Sequence, residues 1–308
     1  MNKISIIGAG NVGASVAQLI VQKGLANVVL FDIIKGLPQG KCLDLMQATP
    51  LYASNCQITG TNDYKDIKDS DIVVIAAGFA RKPGMSRTDL LDKNAVIIKE
   101  VCQGIKKYMP KGIAIVATNP LDTIAYLAYK MLGFPHNKVI GMAGMLDTSR
   151  FKAFIAQKLK ISANDVETIV LGGHGKFMVP MPEHTQIKGK PITNYLNPKE
   201  IESLVKRTRN AGAEIVALLK TGSAYYAAAA AIVDMIEAIL QDSKKIVPAS
   251  AYLNGEYGYT DMFIGVPVRL GKLGVEEVIE LELAKNEKDL LDVSARHVEK
   301  NKQLLGLS

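Results

Sequence analysis

The stretch that decides the fold is residues 3–32, KISIIGAGNVGASVAQLIVQKGLANVVLFD. A short apolar strand through Ile7 leads into the glycine-rich turn GAGNVG, residues 8–13, and then into a segment whose apolar residues recur at helical spacing. A second apolar strand follows and ends at Asp32. The order of strand, turn, helix and strand predicts a βαβ unit with two parallel strands.

The three glycines of the turn have separate uses. Gly8 permits a tight bend, Gly10 lets a pyrophosphate approach the backbone, and Gly13 lets the helix lie close to the sheet. The first turn of the helix, which contains Asn11 and Val12, offers free N–H groups and partial positive charge to phosphates. The turn is therefore a predicted dinucleotide site, with a purely structural turn as the alternative.

Asp32 lies about 20 residues after the third glycine, at the end of the second strand. A carboxylate at this position can accept hydrogen bonds from ribose hydroxyls and repels a 2′-phosphate, so the sequence favours NAD over NADP. Lys35 weakens that preference, because a lysine there could pair with a 2′-phosphate.

Composition indicates an ordinary globular protein of 308 residues with two domains or two lobes, since 48% of residues are hydrophobic and 22% are charged. No apolar run reaches the roughly 20 residues that span a bilayer, so no membrane segment is predicted. The net charge of +7 comes from scattered basic pairs without interleaved aromatic residues, which argues against nucleic acid as a partner.

The three cysteines, Cys42, Cys56 and Cys102, match neither a disulfide framework nor a zinc site, and no metal is expected. They favour a reducing compartment, and we expect the protein to be cytoplasmic.

Alternating strands and helices continue through the first half of the chain. The near-continuous apolar runs at 71–77 and 113–117 are typical of strands buried on both faces of a parallel sheet. The predicted fold class is therefore α/β, with a doubly wound parallel sheet in a dinucleotide-binding domain, residues 1–145. A mixed α+β substrate domain, residues 146–308, is expected to follow, with late strands at 246–253, 260–270 and 275–283.

Three residues of the second half are candidates for chemistry. His174 lies between glycines in GGHG, where its imidazole is left uncovered for proton transfer. Asp147 could support that imidazole or simply cap a helix, and the sequence leaves both interpretations open. Arg150 could bind a substrate carboxylate or form an i,i+3 salt bridge to Asp147.

Six motifs in order, GAGNVG with Asp32, ARKPGMSR, TNP, LDTSRF, GGHG and TGSAYY, resemble those of the lactate/malate dehydrogenase family. The resemblance covers nearly the whole chain and is greatest to the lactate-dehydrogenase-like malate dehydrogenases. It implies a Rossmann fold, a homotetramer or else a dimer, and a place in the tricarboxylic acid cycle. It implies that His174 is the acid/base and Asp147 its partner, and that Arg150 holds the C1 carboxylate. Arg87 would polarise the reacting carbonyl. The remaining implied contacts to substrate or cofactor are Asn94, Ala117, Thr118 and Asn119.

Arg81 is the residue expected to select the substrate. The resemblance implies that this position faces the far end of the substrate, where a glutamine accompanies lactate dehydrogenases and an arginine malate dehydrogenases. A guanidinium can pair with the second carboxylate of oxaloacetate through two hydrogen bonds. The sequence thus predicts an NAD-dependent enzyme acting on a four-carbon dicarboxylate, malate or oxaloacetate.

Other functions are less well supported. A lactate or other 2-hydroxy-acid dehydrogenase is the alternative within the same class. An NAD-dependent glycosidase needs a metal-ligating cysteine, whereas Ala-Thr-Asn precedes Pro120. A catalytically silent NAD-binding protein is the third alternative.

Two positions depart from the family pattern, because Lys176 follows GGHG where aspartate is usual and Glu183-His184 replaces a basic-aromatic pair. One hypothesis is a reversed salt bridge between Lys176 and Glu183. The other is that Lys176 lowers the pKa of His174.

Overall fold

The computed structural model describes residues 1–79, 87–220 and 222–307, and for Arg87 the backbone only. The helices are α1 Asn11–Gln22, α2 Leu37–Ala48, α3 Arg87–Tyr108, α4 Leu121–Leu132, α5 Gly144–Leu159, α6 Pro198–Leu219, α7 Tyr226–Leu240 and α8 Lys285–Leu304. The first six strands are β1 Lys3–Ile7, β2 Asn27–Phe31, β3 Ile58–Thr61, β4 Ile72–Ile75, β5 Ile113–Val116 and β6 Val139–Gly141. The later strands are β7 Val166–Glu167, β8 Val170–Leu171, β9 Val179–Pro180, β10 Gln186–Ile187, β11 Lys190–Pro191, β12 Lys245–Asn254, β13 Thr260–Gly271 and β14 Gly274–Val278.

The main sheet confirms the doubly wound α/β fold. Within the described residues it has the strand order β14-β13-β12-β6-β5-β4-β1-β2-β3. The six strands of the first half are parallel, and β4 and β5 are buried along their whole length, as their apolar sequences predict.

The second half adds antiparallel strands to the same sheet. Ser250 of β12 lies opposite Gly141 of β6, where a Cβ on the glycine would be 2.7 Å from the Ser250 Cβ. Gly141 therefore lets the two halves of the chain join edge to edge. The long hairpin of β12 and β13 then extends the sheet past the parallel strands.

Apolar side chains fill both faces of the sheet. One cluster includes Ile4, Val16 and Ala229, so α1 and α7 cover one face, and the other includes Ile7, Ile98 and Ile124, so α3 and α4 cover the opposite face. Helix α7 packs against α1 within the chain, and Ala228, Ala229 and Ala231 of α7 are buried. Small side chains suit this close helix contact.

The prediction of a last strand reaching residue 283 was wrong, because β14 ends at Val278. Beyond this point the hydroxyl of Tyr257 donates to the Ile279 carbonyl at 2.8 Å and accepts from the Leu281 N–H at 2.9 Å. At the Ile279 carbonyl and the Leu281 N–H the main chain thus bonds to a side chain, where a strand would bond to its neighbour, although the Ile279 N–H still donates to the Pro267 carbonyl of β13 at 2.9 Å. Ahead of the His174 loop the chain forms two short strands, β7 and β8, which are separated by Thr168 and Ile169.

The sheet topology brings the predicted site residues to one edge. Gly8 follows β1, Asp32 follows β2 and Thr118 follows β5, all at the carboxyl ends of parallel strands. Ligands of open α/β sheets bind in the crevice at this edge.

Candidate active site

The glycine-rich turn has the geometry of a phosphate cradle. Gly8 has a φ of +109°, which favours glycine, and a Cβ on Gly13 would lie 1.9 Å from the Gly8 carbonyl oxygen. An added Cβ on Gly10 would have nothing within 4 Å, so the backbone is open on that side. The helix α1 begins at Asn11, and no side chain caps its N-terminus. Its first N–H groups are therefore available to a phosphate.

Asp32 lies beside this turn. Its Oδ2 accepts a hydrogen bond from the Ala9 N–H at 2.7 Å, and its Oδ1 accepts one from the Ile34 N–H at 3.0 Å. Each carboxylate oxygen has further lone pairs, so ribose hydroxyls can still bind. The sequence interpretation missed Lys41, whose ammonium donates to the Ala9 carbonyl at 2.7 Å, while Lys35 is exposed.

The residues after β5 form the other side of the crevice. The Thr118 hydroxyl donates to the Ala77 carbonyl at 2.7 Å, and Ala117 is half-buried. Asn119 is exposed, and in the part of the chain that the structure describes its side-chain amide has no protein partner. Asn119 can therefore bond to a ligand.

Asn94 of α3 forms hydrogen bonds to the main chain of this region. Its side chain is completely buried, its Nδ2 donates to the Asn119 carbonyl at 2.6 Å, and its Oδ1 accepts from the Phe79 N–H at 2.8 Å. Asn94 can therefore affect a ligand only by positioning the main chain of Phe79 and Asn119.

Asp147, His174 and Arg150 form one cluster. Asp147 Oδ2 lies 2.7 Å from His174 Nδ1, and Asp147 Oδ1 lies 3.2 Å from Arg150 Nη1. The N-cap of α5 is Ala143, without a side-chain hydrogen bond, so Asp147 supports the imidazole and does not cap the helix. The i,i+3 pair with Arg150 forms as well. Because the Nε of Arg150 is buried without a partner, this guanidinium retains capacity to bind an anion.

The surroundings of His174 favour the protonated imidazole. Burial lowers its pKa, but the charge of Asp147 and the hydrogen bond to it outweigh burial, so the pKa lies above the ordinary value of 6.5. Arg150 lowers this pKa and Asp122 raises it. The expectation that Lys176 lowers the pKa of His174 was wrong. Lys176 is exposed to solvent, whereas the Asp147 carboxylate contacts the imidazole directly.

The hypothesis of a reversed salt bridge was also wrong. In the described residues neither Lys176 nor Glu183 has an ion-pair partner, and the Lys176 ammonium lies 5.9 Å from the Phe177 ring centre. The neighbouring His184 has its Nε2 3.3 Å from Oε2 of the buried Glu287.

Two arginines were expected to bind the substrate, Arg81 and Arg87, and the side chains of both lie outside the described part of the structure. Arg81 lies outside the described residues, and for Arg87 only the start of α3 is described. Within the described ranges, no group of three or more His, Cys, Asp or Glu residues is arranged to hold a metal ion. No helix of those ranges is long and apolar enough to cross a membrane.

Sequence reasoning also missed Asp122 and Ser294, which bind the backbone of the loop that carries His174. The signal for Asp122 was an acidic residue at the start of a strongly apolar helix, two positions after Pro120. No comparable signal marks Ser294, which lies in a polar helix.

Family models match both halves of the chain. The NAD-binding domain of lactate/malate dehydrogenase matches residues 2–141, and the α/β C-terminal domain of the same family matches residues 144–305. This chain belongs to the lactate/malate dehydrogenase family. Membership makes NAD the cofactor expected from the family and confirms the resemblance of the six motifs.

Relatives in this family include both activities. The malate dehydrogenase of Methanosarcina mazei is 52% identical over 300 residues, which are 97% of this chain and 98% of that protein. The malate dehydrogenase structure from Salinibacter ruber has a TM-score of 0.95 at 48% identity and covers 99% of this chain and 97% of that one. A Cryptosporidium parvum lactate dehydrogenase, in complex with lactic acid and NAD, has a TM-score of 0.97 at 43% identity, covering 100% and 98% of the two chains. The fold is thus common to enzymes with different substrates.

Proposed function

We propose that this protein is an NAD-dependent malate dehydrogenase, which interconverts malate and oxaloacetate by hydride transfer at C2. The observation that carries the proposal is the bridging carboxylate of Asp147, bonded to both His174 and Arg150. An acid/base group and an anion-binding group thereby share one carboxylate. A 2-hydroxy acid needs both groups within one molecule's length of each other.

The cofactor proposal rests on the turn and on Asp32. The open face of Gly10 and the uncapped start of α1 fit a pyrophosphate, while Asp32 fits an adenosine ribose and opposes a 2′-phosphate. When bound, NAD supplies the group that accepts or returns the hydride. The other proposed contacts on this side are Gly8, Asn11, Val12, Gly13, Ala117, Thr118 and Asn119, with Asn94 acting through backbone.

The substrate carboxylate at C1 is assigned to Arg150. Its guanidinium is largely buried, so the charge needs more neutralisation than the shared Asp147 carboxylate provides. A substrate carboxylate can bind the free Nε–H together with a neighbouring N–H in a bidentate pair. This pairing fixes C2 of the substrate relative to His174.

His174 is assigned the proton. Its Nδ1 is held by Asp147, and its Nε2 has no partner among the described residues, so Nε2 faces the substrate hydroxyl. In oxidation, the hydroxyl proton of malate moves to Nε2 while the C2 hydrogen leaves with its bonding electrons as hydride. Asp147 stabilises the imidazolium that forms. In reduction, the imidazolium returns the proton to the carbonyl oxygen as hydride arrives at C2.

The choice of malate over lactate depends on residue chemistry, since the fold is shared by both activities. Arg81 supplies a cation that suits the second carboxylate of oxaloacetate, and Arg87 supplies one that suits the reacting carbonyl. An arginine that is buried in a closed site without an anion loses its hydration, and this desolvation costs a large free energy. Pyruvate offers only a methyl group at that end, so it is the disfavoured substrate.

The test is steady-state kinetics of the purified protein with oxaloacetate, pyruvate and other 2-oxo acids, each with NADH and NADPH. We expect oxaloacetate with NADH to be preferred. Arg81→Gln should raise the ratio of pyruvate to oxaloacetate turnover, whereas the neighbouring Lys82→Gln should not. A wild-type preference for pyruvate would refute the substrate assignment. Cofactor binding without malate oxidation at any pH would identify a silent NAD-binding protein.

We also propose a homotetramer, with a dimer as the alternative, and a cytoplasmic location. Several large apolar side chains are exposed on the single chain and suit subunit contacts: Ile33, Leu51, Leu218 and Tyr226. Sedimentation of a stable monomer would contradict the assembly. The location is supported by the three cysteines, Cys42, Cys56 and Cys102, which are all free thiols.

A further inference from the structure

Both main-chain polar groups of Ala9, in the glycine-rich turn, are bound by charged side chains. The Ala9 N–H donates to Asp32 Oδ2 at 2.7 Å, and the Ala9 carbonyl accepts from the ammonium of Lys41 at 2.7 Å. Asp32 follows β2, whereas Lys41 lies in α2, so two separate elements hold this one residue. The orientation of the peptide between Ala9 and Gly10 therefore depends on a cation as well as on Asp32.

The start of α2 is fixed against the neighbouring strand and against the end of β2. A Cβ on Gly60 of β3 would lie 2.3 Å from the Pro38 carbonyl oxygen, so helix and strand are in direct contact. Gln39 Nε2 donates to Asn62 Oδ1 at 2.7 Å, and Asn62 Nδ2 donates to the Asp32 carbonyl at 2.6 Å. These contacts determine where the side chains of α2 lie relative to the turn.

Lys41 does not use an acid that its own helix offers. Asp44 lies three residues later, at the spacing of an i,i+3 ion pair, yet Lys41 forms no ion pair with Asp44 or with any other acid among the described residues. Its ammonium reaches the turn instead. An ammonium has three N–H donors, and the Ala9 carbonyl accepts from one of them. The other two remain available to a ligand beside the turn.

The charge of Lys41 is left without a compensating carboxylate. Lys41 is half-buried, and Asp32, although it bonds to the same residue of the turn, forms no ion pair with it in the described part of the chain. A cation that is partly withdrawn from water needs another polar or anionic partner. The adenosine diphosphate half of a dinucleotide supplies such partners, because it carries both phosphate oxygens and ribose hydroxyls.

We propose that Lys41 is a cofactor-binding residue, which holds the Ala9 carbonyl with one N–H and binds oxygen atoms of the adenosine diphosphate half with the others. Those oxygens belong to the pyrophosphate or to the ribose, and both accept hydrogen bonds from an ammonium. Lys41 contacts none of Asp147, His174 and Arg150 in the described residues, so it acts on the affinity for the cofactor. This inference rests on the proposed use of NAD.

Binding titrations test the proposal without relying on turnover. NADH binding is followed by its fluorescence, and ADP-ribose, ADP and adenosine are measured by their displacement of NADH. We expect Lys41→Met to raise the Kd of NADH and of ADP-ribose about 5- to 50-fold, because hydrogen bonds from a charged group are lost at a half-buried site.

Lys35→Met is the matched control. Lys35 is an exposed lysine just before α2, and it bonds to no group among the described residues. Its replacement should leave both Kd values within about twofold of wild type. An equal loss of affinity in Lys35→Met and Lys41→Met would overturn the proposal, because it would show a general effect of surface charge.

The displacement series identifies the ligand oxygens. If Lys41→Met weakens the binding of ADP but not of adenosine, the cation binds the pyrophosphate. If it weakens both to the same extent, the cation binds the ribose. Unchanged affinity for all four ligands would refute cofactor binding by Lys41. In steady-state kinetics kcat/KM for NADH should fall by the same factor as the affinity, with most of the change in KM.

Hydrogen exchange tests the contact with Ala9 in the ligand-free protein. The peptide that contains residues 8–14 should exchange faster in Lys41→Met than in wild type or Lys35→Met, and an unchanged rate would refute that contact. If urea unfolding shows that Lys41→Met does not fold, Lys41→Gln removes the same charge. A wild-type protein that does not bind NADH would refute the proposed cofactor, whereas equal NADH binding by wild type and Lys41→Met would refute only the role of Lys41.

Discussion

Replacing Asp147 by Asn preserves the shape of the side chain but removes the charge between His174 and Arg150. Oδ2 lies 2.7 Å from His174 Nδ1, and the Asp147 side chain is 2% exposed, so water cannot restore the lost interaction. A hydrogen bond to a charged group contributes about 1.5–3 kcal/mol, which corresponds to a fall in kcat of about 10- to 150-fold. If the Asn nitrogen turns toward Nδ1, the proton is held on Nε2 and the loss approaches about 10⁴-fold.

The same substitution should change the pH profile. Asp147 raises the pKa of His174 through its charge and hydrogen bond, so that pKa falls in Asp147→Asn. In the proposed mechanism malate oxidation needs neutral His174, so the acid limb of its pH profile should move to lower pH. Oxaloacetate reduction needs the imidazolium, so its alkaline limb should also move to lower pH, and near neutral pH reduction should lose more than oxidation.

The assay is NADH absorbance in both directions from about pH 5 to about pH 10, together with NADH binding. Asp165→Asn is the matched control, because it removes a half-buried carboxylate whose partner is the exposed Lys188. If the limbs of both pH profiles stay at their wild-type pH and kcat stays within twofold of wild type, Asp147 does not support the imidazole. A large rise in KM with normal kcat would indicate that its main effect is on Arg150.

Arg150→Lys should raise the KM for oxaloacetate about 10- to 100-fold, because an ammonium cannot make the bidentate pair, and steady-state kinetics will measure it. Asp32→Ser should raise the ratio of NADPH to NADH turnover about 10-fold or more, and an unchanged ratio would count against ribose recognition by this carboxylate. The raised pKa of His174 contributes stability that is complete below its ordinary value of 6.5 and is lost as pH rises through the folded-state value. The stability difference between wild type and His174→Gln, measured by urea unfolding, should therefore shrink from about pH 6 to about pH 9. Lys302 is buried, with its ammonium 2.6 Å from the Asp261 carbonyl and 4.3 Å from the Tyr126 ring centre. Lys302→Met should lower the free energy of unfolding by about 1–3 kcal/mol, whereas Lys300→Met at an exposed position of the same helix should not.

The first half of the chain could be predicted from sequence because its key residues are required by local structure. Gly8 and Gly13 are needed by one turn and its immediate contacts, and Asp32 follows at a spacing set by one helix and one strand. The buried parallel strands were equally clear, because burial on both faces demands continuous apolar residues. The last strand was predicted too long because its apolar residues continue past Val278, while Tyr257, distant in sequence, binds the main chain there.

The sequence by itself determined the fold class and the position of the glycine-rich turn, since these depend on spacing within a few turns of chain. Tertiary structure decided which contacts the candidate residues make. Asp147 was open to two roles until β6, α5 and the His174 loop brought its carboxylate to an imidazole 27 residues away. Asp122 accepts a hydrogen bond from the His174 N–H only because α4 lies behind that loop. Contacts between distant segments depend on how the elements pack, and no short stretch of sequence contains that information.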